Sequence, residues 1–441
     1  MFPSSAQSNF DLEKEDQIVG GYSQSKTDMW HPDASTSEGH GLGTLQEMEL
    51  VPAEYPEGGL RAWSVLLGAW IAQFCTFGYT NAYGVYNGST QLLLVLSIGL
   101  FAGRAFDTGY FYHLMIGGSL LLVLCIFMIS LSQPGQYYQI FLAQGLGVGT
   151  AVGITYVPCI SILSHYFHRR RALAMGIAVS GSGVGGAVHS ILLNHLFHGS
   201  VGFAEGVRVS AGVVGGLLLI AILLMKPRLP PTSRKHGSTL RDLRVFSRDP
   251  PYVIMVIGTV LLYAGIYFPI FFLQLNAITN GVTPNVALNS LLILNGASSV
   301  GRILPGLLVL RIGIFNVMIP CALVSGLLAF CTAALRDVAG TVVFAILYGF
   351  FSGAYVSLLS PMVASLAEKD SEIGARLGIC FTFTGAGACD GFWTPIAGAL
   401  LSKNFIWWRP SLFSGLCVTT GGLLFFLTRT LVARKKRTSW L

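Results

Sequence analysis

The chain has 441 residues, of which 53% are hydrophobic and 11% are charged. Soluble domains carry about 25% charged residues, so this composition excludes a protein whose surface faces mainly water. A formal net charge of +7 would suit nucleic acid. The basic residues stand in short turns between apolar runs, which is instead typical of membrane proteins. We therefore expect a lipid bilayer around the chain and no nucleic-acid partner.

The first 54 residues differ from the rest of the chain. They are rich in Ser, Gly, Asp and Glu, and they show no hydrophobic periodicity. Such a segment buries too little apolar surface to order itself, so residues 1–54 are predicted to form a disordered cytosolic tail. No cleavable signal peptide is expected in this polar segment, and the first apolar run must direct membrane insertion.

Twelve apolar runs of membrane-spanning length follow the tail. A helix needs about 20 residues to cross the hydrocarbon core, and lipid offers no partners to the backbone polar groups of other structures. The sequence therefore predicts an all-α membrane protein with twelve transmembrane helices. The runs cover residues 62–86, 88–103, 112–132, 137–163, 172–196, 208–225, 251–275, 286–309, 315–335, 340–366, 376–400 and 408–431.

A basic, proline-containing stretch separates the sixth run from the seventh. We predict an N-terminal six-helix bundle over 55–225, a basic cytosolic linker over 226–250, a C-terminal six-helix bundle over 251–432 and a basic cytosolic tail over 433–441. Lys and Arg concentrate in the turns on the linker's side of the membrane. The positive-inside rule then places both termini in the cytosol.

The two predicted halves repeat each other. The dipeptide Gly103-Arg104 in the first half has a counterpart, Gly301-Arg302, 198 residues later, and Tyr156 has one, Tyr355, 199 residues later. A steady offset near 200 indicates an internal duplication. Parallel six-helix repeats predict two pseudo-symmetric bundles around a central site.

The second apolar run is unusually short. Gly88 to Gly103 gives about 24 Å of helix, which is less than a full crossing. We expect a shortened second helix, produced either by a real deletion or by a missing exon in the gene.

The segment Gly103-Arg-Ala-Phe-Asp107-Thr-Gly109 lies at a predicted cytosolic helix end. Asp107 there is placed to cap the following helix. The segment resembles the signature between helices two and three of the major facilitator superfamily, although Tyr110 and Phe111 stand where the usual basic residues follow the last Gly. The resemblance implies that Gly103, Arg104 and Asp107 latch the cytosolic face during alternating access.

Two further segments resemble the signatures of the monocarboxylate porter family, especially its fungal members. They are Pro56–Trp63, before the first run, and Tyr166–Gly186, which leads into the fifth. The resemblance implies twelve helices and facilitated or proton-linked movement of small organic anions. Some fungal relatives belong to secondary-metabolite pathways. Arg169, Arg170 and Arg171 are assigned to the same cytosolic gate.

Arg302 lies inside the eighth run. A guanidinium buried in a bundle is costly and therefore usually functional or paired, and it suits bidentate binding of a carboxylate. The alternative is a structural latch at a helix end. In the animal porters, an Asp one turn before the matching Arg carries a proton and a Lys stands in helix one. Ser298 and Asn81 occupy those positions here, which argues against lactate–proton transport.

Asp390 is the acid placed deepest in an apolar run. It is either a proton-titrating or cation-pairing site in helix eleven, or a residue near the outer mouth that needs no such role. Asn81, Tyr156, Asn295 and Tyr355 are further candidates for a substrate-binding cavity. Ordinary helix packing is the alternative for each of them.

No catalytic triad, phosphate loop or metal-ligand spacing stands out, and the eight cysteines fall within apolar runs. We therefore expect no enzyme activity, cofactor or metal. The leading hypothesis is a multi-pass transporter of the plasma membrane that moves an organic acid or small amphipathic metabolite by alternating access, with or without protons. Efflux of a fungal secondary metabolite is favoured. Uptake of a monocarboxylate or other small solute, and a non-transporting membrane sensor, remain the alternatives.

Overall fold

A computed structural model describes residues 56–83, 88–133, 135–198, 202–228, 239–368, 372–387, 400–401 and 406–436. Within these ranges the chain forms helices and no strands, as the apolar runs predict. The α-helices are α1 (Gly59–Cys75), α2 (Phe77–Tyr83), α3 (Gly88–Ser97), α4 (Gly99–Asp107), α5 (Phe111–Ile129), α6 (Tyr137–Ile140), α7 (Gly149–Ser161), α8 (Arg171–His198), α9 (Gly202–Leu224), α10 (Thr239–Phe246), α11 (Pro250–Thr279), α12 (Pro284–Ile312), α13 (Ile314–Cys331), α14 (Val338–Ser365), α15 (Ile373–Gly387) and α16 (Trp408–Lys436).

Each of the twelve predicted runs contains helix. Ten helical segments in the described ranges are long and apolar enough to cross a membrane. One of them joins α1 to α2, and another joins α6 to α7 through a π-helical stretch, Phe141–Val148. The two remaining runs correspond to α3–α4 and to α15. The eleventh run continues past Gly387 into residues outside the description.

The second helix is longer than the sequence predicts. Ile98, between α3 and α4, keeps right-handed helical angles, and its carbonyl accepts a hydrogen bond from the Ala102 amide at 3.0 Å. Helical backbone therefore runs from Gly88 to Asp107, four residues beyond the predicted end at Gly103. Polar residues end the apolar run there, but they do not end the helix.

Equivalent helices pair in the same way in both halves. Helix α1 packs on α8 and α9, as α11 packs on α15 and α16. Helix α5 packs on α7 and α9, as α13 packs on α14 and α16, and α3–α4 packs on α7 as α12 packs on α14. This repeated pairing confirms the predicted fold class of two related helical bundles.

The main contacts that join the halves are those of α8 with α12 and α14, and those of α15 with α3, α4 and α7. Glycines permit these close approaches. A Cβ added to Gly183 would collide with the Ser299 hydroxyl, and one added to Gly103 would collide with the Gly374 carbonyl. We call the side on which α1 begins and α16 ends the terminus side, and the opposite side the far side.

Gly181→Ala tests the packing of α8 on α1. An alanine methyl group would collide with the Trp70 carbonyl oxygen, and such overpacking costs about 1–3 kcal/mol. We expect a lower melting temperature for the purified variant in detergent. Gly212→Ala is the control, because nothing lies within 4 Å of a Cβ at that position. Equal melting temperatures for the two variants would contradict the close approach.

Candidate functional site

A cavity of about 550 Å³ lies between the two halves. Helices α1, α2, α3, α7 and α8 line it from one half, and α11, α12 and α14 line it from the other. It extends toward the far side, where Asn194 and Gln274 contribute to its wall. Its volume falls in the range of about 300–1,000 Å³ that holds drug-sized ligands.

The described residues of the cavity wall combine aromatic rings, carboxamides, the imidazole of His195 and a single guanidinium. No Asp or Glu occurs among the described residues that line it, so the wall favours anionic or neutral ligands over cations. Arg302 supplies the guanidinium. The carboxamides are Gln73, Asn81, Gln91, Asn194, Gln274, Asn289 and Asn295, and the aromatic residues are Phe77, Tyr156, Tyr263, Tyr267 and Phe271.

Arg302 lies at the floor of the cavity, in the interior of α12. Its side chain is 7% exposed. One terminal nitrogen, Nη1, donates to the Val179 carbonyl at 3.2 Å and to the Ser182 hydroxyl, both in α8 of the other half. Its Nε has no hydrogen-bond partner, and no carboxylate of the described residues pairs with it. A buried cation without a counter-ion is a ready site for an anion.

Ser182 is also bonded to a residue of its own half, Asn81 in α2. Asn81 donates from Nδ2 to the Ser182 carbonyl at 3.5 Å. Ser298 lines the cavity one turn before Arg302. The two positions at which the animal porters carry a Lys and an Asp are therefore occupied by uncharged side chains that face the cavity.

The remaining predicted site residues divide into three groups. Tyr156 and Asn295 line the cavity. Tyr355 is placed elsewhere, because Ser352 and Val356 form the cavity face of α14. Its ring is fully buried, with its centroid 5.8 Å from that of Tyr263 and 6.2 Å from that of Phe425. Tyr355 therefore fits the alternative of ordinary helix packing. Asp390 lies outside the described residues.

Sequence reasoning missed most of the cavity carboxamides. A signal was present, because polar side chains inside apolar runs are costly in lipid unless they face a cavity or a partner. Gln91, for example, lines the cavity and donates to the Thr80 hydroxyl at 3.1 Å. The residues missed in this way are Gln73, Gln91, Asn194, Gln274 and Asn289.

Asp107 connects the two halves on the terminus side. Its Oδ2 accepts a hydrogen bond from the Ala375 amide, in the first turn of α15, at 3.0 Å. A carboxylate at this position also complements the helix dipole. The prediction that Asp107 caps the following helix is wrong, because the N-cap residue of α5 is Tyr110, which makes no side-chain cap bond. The end of α4 lies against the start of α15 instead.

The segment His168–Arg170, just before α8, is bound to the start of α1. The Glu57 carboxylate accepts hydrogen bonds from three backbone amides, those of His168 at 2.8 Å, Arg169 at 2.5 Å and Arg170 at 3.1 Å. The Arg169 and Arg170 side chains are exposed, and Arg171 begins α8. These contacts lie within one half. They bring together the two segments that resemble the porter signatures.

The electrostatics of Glu57 follow from these bonds. Partial burial raises the pKa of the carboxyl, but the hydrogen bonds from Arg169, Arg170 and His168 outweigh it, so the pKa lies below its ordinary value of 4.5. Glu57 is therefore ionised at neutral pH.

Comparison with known proteins gives the family. Residues 62–338 match the sequence model of the Major Facilitator Superfamily. This chain belongs to the Major Facilitator Superfamily. It is 32% identical over 391 residues to the aspyridones efflux protein apdF of Emericella nidulans, covering 84% of this chain and 78% of that protein. It is 34% identical over 390 residues to the agnestins efflux protein AgnL12 of Paecilomyces divaricatus, covering 84% and 87%.

Solved structures of the superfamily share the fold. The transporter FucP in its outward conformation aligns with a TM-score of 0.64 at 15% identity, covering 83% of this chain and 98% of that one. The human organic anion transporter MFSD10 aligns with a TM-score of 0.63 at 13% identity, also covering 83% and 98%. At this identity the likeness concerns the fold alone.

Membership of the superfamily indicates which conformational state the contacts between the halves belong to. Transporters with parallel repeats work largely by rocking one bundle against the other around a central site. Here Asp107 and Arg302 both bond across the halves, whereas the cavity extends toward the far side. The structure therefore represents a state closed on the terminus side.

Asp107→Ala is expected to weaken that closed state, because it removes a charge at the start of α15 that contributes about 1 kcal/mol. Spin labels at the exposed positions Arg169 and Arg311, one in each half, would report the distance between the halves. We expect the variant to populate a longer distance. Glu205→Ala, which removes an exposed carboxylate paired with Arg208 three residues along α9, is the control. An unchanged distance distribution in Asp107→Ala would refute the latch.

Glu57→Gln is expected to speed amide exchange at His168–Arg170 at neutral pH, because the neutral side chain binds these amides more weakly. The folded pKa is depressed, so the contribution of the carboxylate is complete above 4.5 and is lost as the pH falls through the folded pKa. The difference in protection factor between wild type and variant should therefore vanish well below pH 4.5. Hydrogen–deuterium exchange at several pH values measures it, and a pH-independent difference would contradict the assignment.

Proposed function

We propose that this protein exports an amphipathic organic acid, of the size of an aromatic secondary metabolite, by alternating access. The observation that carries the proposal is the cavity of about 550 Å³ with a single buried guanidinium and no carboxylate among its described lining residues. The efflux of aspyridones and of agnestins, named for two relatives, supports the outward direction and a small molecule as cargo.

The volume of the cavity favours this class over a small monocarboxylate. A three-carbon acid would occupy a minor part of a space that suits drug-sized ligands. The rings of Tyr263, Tyr267 and Phe271 line one wall and suit a flat apolar frame. Ser298 and Asn81 add no charge at the positions used by proton-linked carboxylate porters.

Arg302 is proposed to bind the acidic group of the cargo. In the state closed on the terminus side, its Nη1 is held by the Val179 carbonyl and the Ser182 hydroxyl of the opposite half. These α8 groups compete with the cargo for the guanidinium. Closure of the terminus side therefore loosens the anion while the cavity extends toward the far side, which is the order of events that export requires.

Several finer points belong to the same proposal. We infer membership of the monocarboxylate porter family from the two signature segments that meet at Glu57. We place both termini in the cytosol, because exposed cations such as Arg169, Arg311 and Lys435 lie on the terminus side. Export from the cell would place the protein in the plasma membrane. We retain the bundles 55–225 and 251–432, the linker 226–250 and both tails as the domain division. Asp390 stays the proposed site of proton coupling.

Counterflow in proteoliposomes tests the proposal. We expect saturable exchange of 2-naphthoate, a carboxylate on a flat bicyclic frame, and no competition from a large excess of lactate. Arg302→Met should reduce exchange at least about tenfold, because loss of a charge-assisted hydrogen bond costs about 1.5–3 kcal/mol.

Arg311→Met is the matched control, because Arg311 is an exposed arginine at the end of the same helix. It should retain exchange. Exchange that survives in Arg302→Met, or that lactate blocks, would overturn the proposal. Binding of 2-naphthoate without any exchange would favour a membrane sensor.

A further inference from the structure

Gln73 in α1 carries a buried carboxamide whose acceptor is unused. The side chain is 1% exposed and lines the cavity. Its Oε1 has no hydrogen-bond partner. A buried acceptor without a donor costs about 1–3 kcal/mol, and such groups in native proteins call for an explanation.

Gln73 and Arg302 lie against the same two turns of α8. In α1, Trp70 donates from Nε1 to the Ser180 hydroxyl at 3.2 Å, and the Phe74 carbonyl touches α8 so closely that a Cβ on Gly185 would collide with it. Gln73 falls between these two contacts. Arg302 approaches the same segment from α12 through Ser182. The two side chains therefore meet the cavity at similar depth from opposite halves.

The two side chains leave complementary groups unsatisfied in one cavity. Arg302 presents an Nε–H donor and Gln73 presents an Oε1 acceptor, and neither has a partner. An acid alone satisfies the guanidinium and leaves the carboxamide unpaired. A ligand that also carries a neutral donor, such as a phenolic hydroxyl or an amide N–H, satisfies both.

We infer that Gln73 is a specificity-determining residue that accepts a hydrogen bond from a neutral donor on the same organic acid that Arg302 binds. The inference rests on the proposed function and narrows its cargo to acids that also carry a hydroxyl or N–H donor on their frame. A carboxylate at this position would repel the acid, and an apolar side chain would offer no acceptor. Gln73 supplies an acceptor without charge.

A purely structural role for Gln73 makes a different prediction. The Cys159 thiol is a neighbour of the carboxamide, but its own hydrogen bond goes to the Ala69 carbonyl at 3.4 Å. If the carboxamide served only packing, its removal would change the binding of all ligands alike. Selective loss for ligands with a donor separates the two roles.

The test measures binding of three acids to the purified full-length protein. The probes are 2-naphthoate, 6-hydroxy-2-naphthoate and 6-methoxy-2-naphthoate, whose substituents lie too far from the carboxylate for an internal hydrogen bond. The wild type should bind the hydroxy acid about tenfold more tightly than the other two, as expected for one hydrogen bond to a buried acceptor. The methoxy acid separates the donor from added size.

Gln73→Met should abolish this preference, because Met lacks the acceptor. It should change the affinity for 2-naphthoate by less than about twofold, because Met keeps the shape of the side chain. Gln144→Met, which replaces a buried glutamine outside the cavity wall, should keep the preference.

The outcomes distinguish this inference from the function on which it rests. Equal binding of all three acids by the wild type, which requires no variant to fold, would overturn the role of Gln73 and leave the export of aromatic acids intact. So would a preference that persists in Gln73→Met or disappears in Gln144→Met. Absence of binding for all three acids would overturn the proposed function and the inference together.

Discussion

The whole structure depends on one constraint, which is that polar groups surrounded by lipid need a partner within the protein or a water-filled cavity. Backbone groups meet this constraint by forming helices. Polar side chains meet it by facing the cavity between the two halves. Seven carboxamides and Arg302 are among the described residues that line this cavity. The cavity is therefore the place where residues that lipid excludes are collected, and its chemistry follows from that collection.

The helices were predictable because an apolar run of sufficient length has one favourable structure in lipid. Their ends were less predictable, since Arg104 and Asp107 end the apolar run but continue α4. The cavity face was only partly predictable, because it depends on how each helix is rotated in the bundle. Tyr156 and Tyr355 hold equivalent places in the repeat, yet the first lines the cavity and the second is buried behind it.

The two Gly-Arg dipeptides, Gly103-Arg104 and Gly301-Arg302, also show that a sequence pattern does not fix the place of a residue in the bundle. Arg104 stands three residues before the end of α4, whereas α12 continues ten residues beyond Arg302. The same local pattern thus lies at a helix end in one half and at the cavity floor in the other. Asp107 shows that the same holds for helix capping, because its partner Ala375 is 268 residues away in the sequence. Local capping rules cannot identify a partner from the other half.

Ser182 shows why binding and gating are hard to separate in this fold. Its hydroxyl accepts from Arg302 of the opposite half, and its carbonyl accepts from Asn81 of its own half. Any anion that draws the guanidinium away from α8 therefore removes a contact between the halves. A ligand shifts a conformational equilibrium only by its differential affinity for the two states. Because the atoms that recognise the anion are also atoms that join the bundles, recognition of cargo itself supplies that difference.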